Sequence, residues 1–167
     1  QLVAAMNPSP TGFYNDNRST PEQVLRYLNR LSGPFLDRID LQIEVARLPR
    51  GMWAKKLEAA ESSIMIRARV CECRDIQLAR QGKANAHLSS AEIRQHCQLS
   101  NDDNEFLELA IEKLGLSTRA HHKILKIART LADMDNKQEI EHEHLIEALS
   151  YRAMDRILRH LTEAIAV

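Results

Sequence analysis

The chain has 167 residues, enough for one domain or for a piece of a larger domain plus a small one. Its 23 Lys+Arg balance 23 Asp+Glu, which excludes a global positive field for holding nucleic acid; any phosphate-binding surface must be a local patch. Aromatics make up only 4%, no apolar run reaches membrane-spanning length and no signal peptide is evident, so helices packed on helices without a membrane partner are expected.

In chain order, Gln1-Leu2-Val3-Ala4-Ala5-Met6 reads as the middle of a strand, which suggests a fragment of a longer protein. It breaks at Asn7-Pro8-Ser9-Pro10. An Asn directly after a strand either forms a turn or projects from the carboxyl edge of a sheet, where open α/β sheets bind ligands. Residues 8–19 are a loop rich in Pro, Gly, Asn and Ser. Thr20-Pro21-Glu22-Gln23 predicts a helix start, with a threonine cap, proline in the first turn and glutamine at the capping-box position. Val24, Leu28 and Leu31 give that helix one apolar face, and Arg26 and Arg30 share another, either solvated or serving a phosphate or a neighbouring subunit.

Ser32-Gly33-Pro34 predicts a stop, and Leu41, Ile43 and Val45 alternate with Gln42 and Glu44 as in a short strand. Between them lies Phe35-Leu36-Asp37-Arg38-Ile39-Asp40, one arginine between two aspartates. Two readings are open there. Arg38 either pairs with Asp37 or Asp40 at the surface, or points outward on a base anchored by Phe35, Leu36 and Ile39.

Residues 46–56, with Pro49, Gly51 and Trp53, read as a linker, and every later segment is helical. A long helix is expected from about Leu57 to Arg80 with Ile66, Val70 and Cys73 on its stripe. Ser89-x-x-Glu92 and Ser100-x-x-Asp103 open two more, ending near Cys97 and Leu114. Gly115 closes the second, and Ser117 caps a helix with the stripe Ala120, Ile124, Ile127, Ala128 and Leu131. A last helix is expected over His144 to Ile165. The composition shift near Pro49 marks a domain boundary: 1–48 a sheet remnant, 49–56 a linker, 57–167 a helical bundle.

Arg119, Lys123 and Lys126 recur at i, i+4 and i+7, so three cations share a face opposite the apolar stripe. The lysines read as solvated. Arg119 lies in the first turn, where a cation opposes the helix dipole and where backbone N–H groups favour an anion, so solvated and phosphate-binding readings stand side by side. His121-His122 and His142-x-His144 lack zinc spacing and read as surface or capping residues; Cys71-x-Cys73 also lacks it. Cys71, Cys73 and Cys97 form neither a disulfide nor a zinc pattern, which fits a reduced, cytoplasmic compartment. The sequence has no phosphate loop of the G-x-x-x-x-G-K-[ST] type and holds no complete active site.

Leu2-Val3-Ala4-Ala5-Met6-Asn7-Pro8, the run Arg30-Leu31-Ser32-Gly33-Pro34-Phe35-Leu36-Asp37-Arg38-Ile39-Asp40, Asn85-Ala86-His87-Leu88 and Gly115-Leu116-Ser117-Thr118-Arg119-Ala120 together resemble the magnesium-chelatase-like AAA+ ATPases, most closely their ComM/YifB type. The resemblance covers nearly the whole chain. It implies a mainly α fold: the remnant of an AAA+ α/β core (sensor-1 strand, arginine-finger segment and last core strand) followed by an all-α helical lid.

By the same resemblance Asn7 matches sensor 1 and would orient the attacking water. Arg38 matches the arginine finger that reaches a neighbouring subunit's nucleotide, and Arg119 matches sensor 2, touching phosphate from the lid. ATP and Mg²⁺ are the implied cofactors, bound in a full-length hexameric ring whose phosphate loop and acidic metal motif lie upstream; the fragment alone would be inactive. Many relatives carry paired cysteines in the loop after Asn-Pro, whereas Ser9 and Thr11 stand here, so no zinc is expected. The ComM type implies a motor acting on DNA in branch migration during recombination or natural transformation. The alternatives are a chelatase-type motor for metal insertion into a porphyrin and a non-catalytic helical interaction domain.

Overall fold

The computed structural model describes residues 1–12, 18–46, 51 and 60–165, and among these the fold is almost wholly helical. The first helix, α1 (Pro21–Leu28), starts where the capping box predicts: the Thr20 N–H donates to Gln23 Oε1 at 3.0 Å, and the Gln23 N–H donates to Thr20 Oγ1 at 3.4 Å. Its Val24 and Leu28 are buried. Ser32-Gly33-Pro34 opens a further single turn, α2 (Gly33–Leu36), because Ser32 Oγ accepts the Phe35 N–H and proline is tolerated at a helix start. Leu36 is buried beneath it, Ile39 is half-buried and Phe35 is exposed.

After residues 52–59, which with 47–50 carry most of the expected linker and lie outside the described residues, α3 (Ser63–Gln81) begins at a Ser62 cap. It therefore starts later than Leu57. Ile66 and Val70 are exposed, while Cys73 and Gln77 are buried: only the second half of α3 meets α6, so the expected stripe is covered at one end. A 3-10 turn (Asn85–His87) leads to α4 (Ser90–His96), α5 (Asn101–Leu114) and α6 (Thr118–Met134), each capped by the serine the sequence indicates. Gly115 closes α5 at φ 64°, in the left-handed region that glycine reaches without a Cβ penalty.

The expected last helix is two helices, α7 (His142–Ser150) and α8 (Ala153–Ile165). The break has a physical cause. At Tyr151-Arg152 the backbone turns to the earlier segment: the Gln42 N–H donates to the Tyr151 carbonyl at 2.7 Å, and the Ala153 N–H donates to the Gln42 carbonyl at 3.3 Å.

This Gln42–Arg152 bridge is parallel and isolated. The expected strands at 1–6 and 41–45 form no ladder among the described residues; Leu2, Val3, Leu41, Ile43 and Val45 stay exposed. A strand is completed only by hydrogen bonds to a neighbour, and alternation alone cannot supply one.

Two apolar clusters organise the helices. The larger gathers Leu107, Ile124, Ala128, Ala132, Leu145 and Ala148 with their neighbours around α6. The smaller joins Val24 and Leu28 of α1 to Ile157 and Leu161 of α8. The final helix therefore turns back onto the first.

Candidate functional site

Arg38 sits two residues beyond α2 on an exposed rim. Its guanidinium Nη1 donates to the Pro34 carbonyl at 2.7 Å, an i to i−4 contact that stands the side chain against its own short helix. Neither flanking aspartate pairs with it among the described residues. Asp40 Oδ1 accepts from Lys123 Nζ at 2.8 Å, and Asp37 Oδ1 lies 3.7 Å from Arg152 Nη2. Of the two readings open for this arginine, the surface ion pair is not the one observed. The two carboxylates face cations of α6 and of the α7–α8 corner, and Arg38 bonds the Pro34 carbonyl instead.

Arg119 is exposed in the first turn of α6, beside the Ser117 cap whose Oγ accepts the Ala120 N–H at 3.2 Å. One turn later on the same face, Lys123 makes the ion pair with Asp40. That pair joins the segment bearing Arg38 to the helix bearing Arg119. Both lysines thus depart from the solvated reading: Lys123 is largely covered, and Lys126 Nζ donates to the Ala86 carbonyl at 3.1 Å. A long side chain can lay its stem on apolar surface and still bond at its tip.

Asn7 is exposed just before a turn in which the Gly12 N–H donates to the Ser9 carbonyl at 3.1 Å. Ser9 is buried, and its Oγ lies 3.1 Å from Thr11 Oγ1, so these two hydroxyls stand together in the loop. Residues 13–17 of that loop lie outside the described residues.

The arrangement brings the Arg38 segment and the Arg119 helix into contact and presents both guanidiniums at the surface. Such groups fit the oxygens of a polyphosphate, since Arg offers a planar fork of donors. The metal is a different matter. Among the described residues no group of three His, Cys, Asp or Glu side chains is placed to hold an ion. His144 and His142 are engaged in capping and pairing: the Glu141 N–H donates to His144 Nδ1 at 2.9 Å, and His142 Nδ1 lies 2.8 Å from Asp103 Oδ1. That contact and the Ser100 hydroxyl, the larger influence, hold the Asp103 carboxyl below its ordinary range.

Sequence reasoning did not anticipate Gln42 and Arg152. Both are buried, and both bond the segment around Arg38. One signal was available. Leu145, Leu149 and Arg152 follow at helical spacing, so a charge falls on the apolar stripe itself.

Residues 60–152 match the family model for the magnesium chelatase subunit ChlI C-terminal domain, and residues 1–52 match that for magnesium chelatase subunit ChlI. The chain is 55% identical to the competence protein ComM of Haemophilus influenzae over 164 residues, 97% of this chain and 32% of that protein. It is 56% identical to YifB of Escherichia coli over 163 residues, 96% of this chain and 32% of the relative. YifB of Salmonella typhimurium is 51% identical over 168 residues, covering 99% and 33% respectively. The chain thus spans about a third of the length of these relatives. The chain belongs to the magnesium chelatase ChlI family of AAA+ proteins, as a homologue of ComM and YifB.

Proposed function

We propose that this chain is the sensor and lid portion of an ATP-hydrolysing motor that remodels DNA as a hexameric ring. In this reading Arg38 is the finger offered to a neighbouring subunit's nucleotide. Arg119 touches phosphate from the lid, and Asn7 orients the attacking water. The observation that carries the reading is the state of Arg38: exposed, bonded only to the Pro34 carbonyl among the described residues, while Asp37 and Asp40 face other cations.

Bound ATP with Mg²⁺ would supply the phosphoryl group and neutralise part of its charge. Among the described residues no group of three His, Cys, Asp or Glu side chains is placed to hold that metal, and in this reading its ligands and the phosphate loop belong to sequence outside this chain. What this chain's residues contribute is positive charge where negative charge develops on the transferring group, a role worth about 10³–10⁵ in rate for an arginine finger. A finger given in trans also makes turnover depend on the ring. Arg119, one turn from the Lys123–Asp40 pair, reports lid position to the finger segment.

DNA is favoured as the motor's substrate because one relative is named a competence protein. The second reading, a motor for metal insertion into a porphyrin, is favoured by the name of the family itself. Stimulation of the full-length ATPase by single-stranded and branched DNA separates them. A DNA motor accelerates with DNA, and a flat response favours the chelatase reading.

Two substitutions test the site in the full-length protein. Arg38→Ala is expected to abolish ATP hydrolysis while nucleotide affinity stays within about threefold, since a finger acts on the transition state and hardly on the ground state. Wild-type turnover in that variant removes the finger assignment. Arg119→Ala is expected to weaken nucleotide binding or its coupling to hydrolysis; normal values for both exclude the sensor role.

A further inference from the structure

Arg152 is fully buried, and its contacts straddle Arg38. Its Nη1 donates to the carbonyl of Ile39, the residue after Arg38, at 3.2 Å. Its Nη2 lies 3.7 Å from the carboxylate of Asp37, the residue before Arg38. Its Nε donates to Asp155 Oδ2 at 2.6 Å, within the first turn of α8. Gln42 fastens the same segment from its far end: Nε2 donates to the Leu36 carbonyl at 3.2 Å, and Oε1 accepts the Met154 N–H at 3.2 Å.

We propose that Arg152 is a positioning residue for Arg38: from the α7–α8 corner it engages the residues on both sides of the arginine, the Ile39 carbonyl by a hydrogen bond and the Asp37 carboxylate by an ion pair, fixing the direction in which that side chain leaves the surface. The inference rests on the reading of Arg38 as the finger. It goes beyond that reading by making the start of α8 part of the catalytic geometry.

Stability alone is a poor reason for a guanidinium here. A buried cation is costly to desolvate, and apolar residues of similar volume often serve stability as well or better. Among the described residues Nη2 makes no hydrogen bond, so the group is not even fully satisfied. Its place just before α8 is also unfavourable, since a cation opposes the dipole at a helix start, and Asp155 in the first turn offsets this only in part. What the guanidinium offers is a planar fork of donors, here directed at the Ile39 carbonyl and the Asp155 carboxylate with the Asp37 carboxylate 3.7 Å away. Transfer of a phosphoryl group depends on donors held within a fraction of an ångström, and a misplacement of about 1 Å can cost on the order of 10²-fold in rate.

The test uses the full-length protein. Arg152→Lys keeps the charge and loses the fork. Its kcat for ATP is expected to fall about tenfold, with KM, nucleotide affinity and the melting midpoint close to wild type, since misplacing a finger affects the transition state rather than binding. Asp37→Asn, on the exposed side of the contact, is expected to lower kcat about twofold to threefold by the same route. Placing Arg152→Lys in an Arg38→Lys background is expected to lower the residual rate less than twofold further, because two residues that act through one group are not additive. A folded Arg152→Lys variant with wild-type kcat overturns the proposal, as does a loss matched by a fall in nucleotide affinity, or one that adds in full to Arg38→Lys. If Arg152→Lys does not fold, an unchanged kcat in Asp37→Asn overturns it. Arg38→Ala distinguishes the two levels: wild-type turnover there removes the finger reading itself, whereas an inactive Arg38→Ala beside a normal Arg152→Lys removes only the positioning role.

Discussion

Among the described residues Arg129 is the other buried guanidinium, and it sits in a polar knot that is satisfied where Arg152's surroundings are not. Its Nε donates to Asp133 Oδ1 at 3.1 Å, and its two terminal nitrogens donate to the carbonyls of Gln138 and Lys137 at 2.7 and 2.6 Å. Asp133 also accepts from Arg80 Nη2 at 2.9 Å and from Asn85 Nδ2 at 2.8 Å. Burial lowers the Arg129 guanidinium below its ordinary range, with Asp133 pulling the other way, while the Asp133 hydrogen bond raises that of Arg80. The knot ties α3, the 3-10 turn and α6 together. Asp133→Ala is therefore expected to destabilise the chain by about 3–5 kcal/mol in denaturant titration, because it leaves charges buried without a partner. A change under about 1 kcal/mol would mean that water replaces the carboxylate there. Most of this was not legible in the sequence: Arg129 and Asp133 stand at the spacing of a helical ion pair, but their burial depends on Arg80 and Asn85, which come to Asp133 from distant segments.

Local chemistry was legible wherever it decides the outcome. Thr20, Ser89, Ser100 and Ser117 each cap the helix the sequence assigns to them, because a cap needs only residues within one turn. Glu92 closes the capping box of α4. It accepts from the Ser89 N–H at 2.8 Å and from Lys83 Nζ at 2.7 Å, and these contacts, the Lys83 hydrogen bond foremost, lower its carboxyl from 4.5 to about 2. Because the folded value lies below the unfolded one, the carboxylate's contribution is fully present above pH 4.5 and is lost as pH falls through about 2. Glu92→Gln should destabilise the chain at neutral pH, and the difference from wild type should shrink progressively as pH falls across that window. A difference that stays constant with pH would show that the charge is not involved. What was not legible depends on distant chain: among the described residues the expected strands lack a ladder, Ile66 and Val70 lie on the uncovered half of α3, and the α7–α8 break is set by Gln42.

At the scale of the whole molecule the arrangement closes on itself. The candidate site shows the same division: Arg38, Arg119 and Asn7 could be picked out by resemblance, while Asp40–Lys123, Gln42 and Arg152, which join their surroundings, appear only once the chain is folded. The smaller cluster of Val24, Leu28, Ile157 and Leu161 is the apolar part of that closure. Leu28→Ala is expected to cost about 2–5 kcal/mol, typical of a buried leucine. Hydrogen exchange should then rise in α1 and α8 ahead of α6, whose core is separate. Uniform loosening of all helices would instead mean that the two clusters unfold as one.

Because Ile157 and Leu161 follow α1 far along the chain, a ribosome delivers Val24 and Leu28 long before these two residues exist to cover them. The rim bearing Arg38 likewise waits for Arg152 and Met154 before its backbone is pinned. A nascent chain stalled before α8 therefore carries an uncovered apolar face on its first helix and an unpinned segment around Arg38.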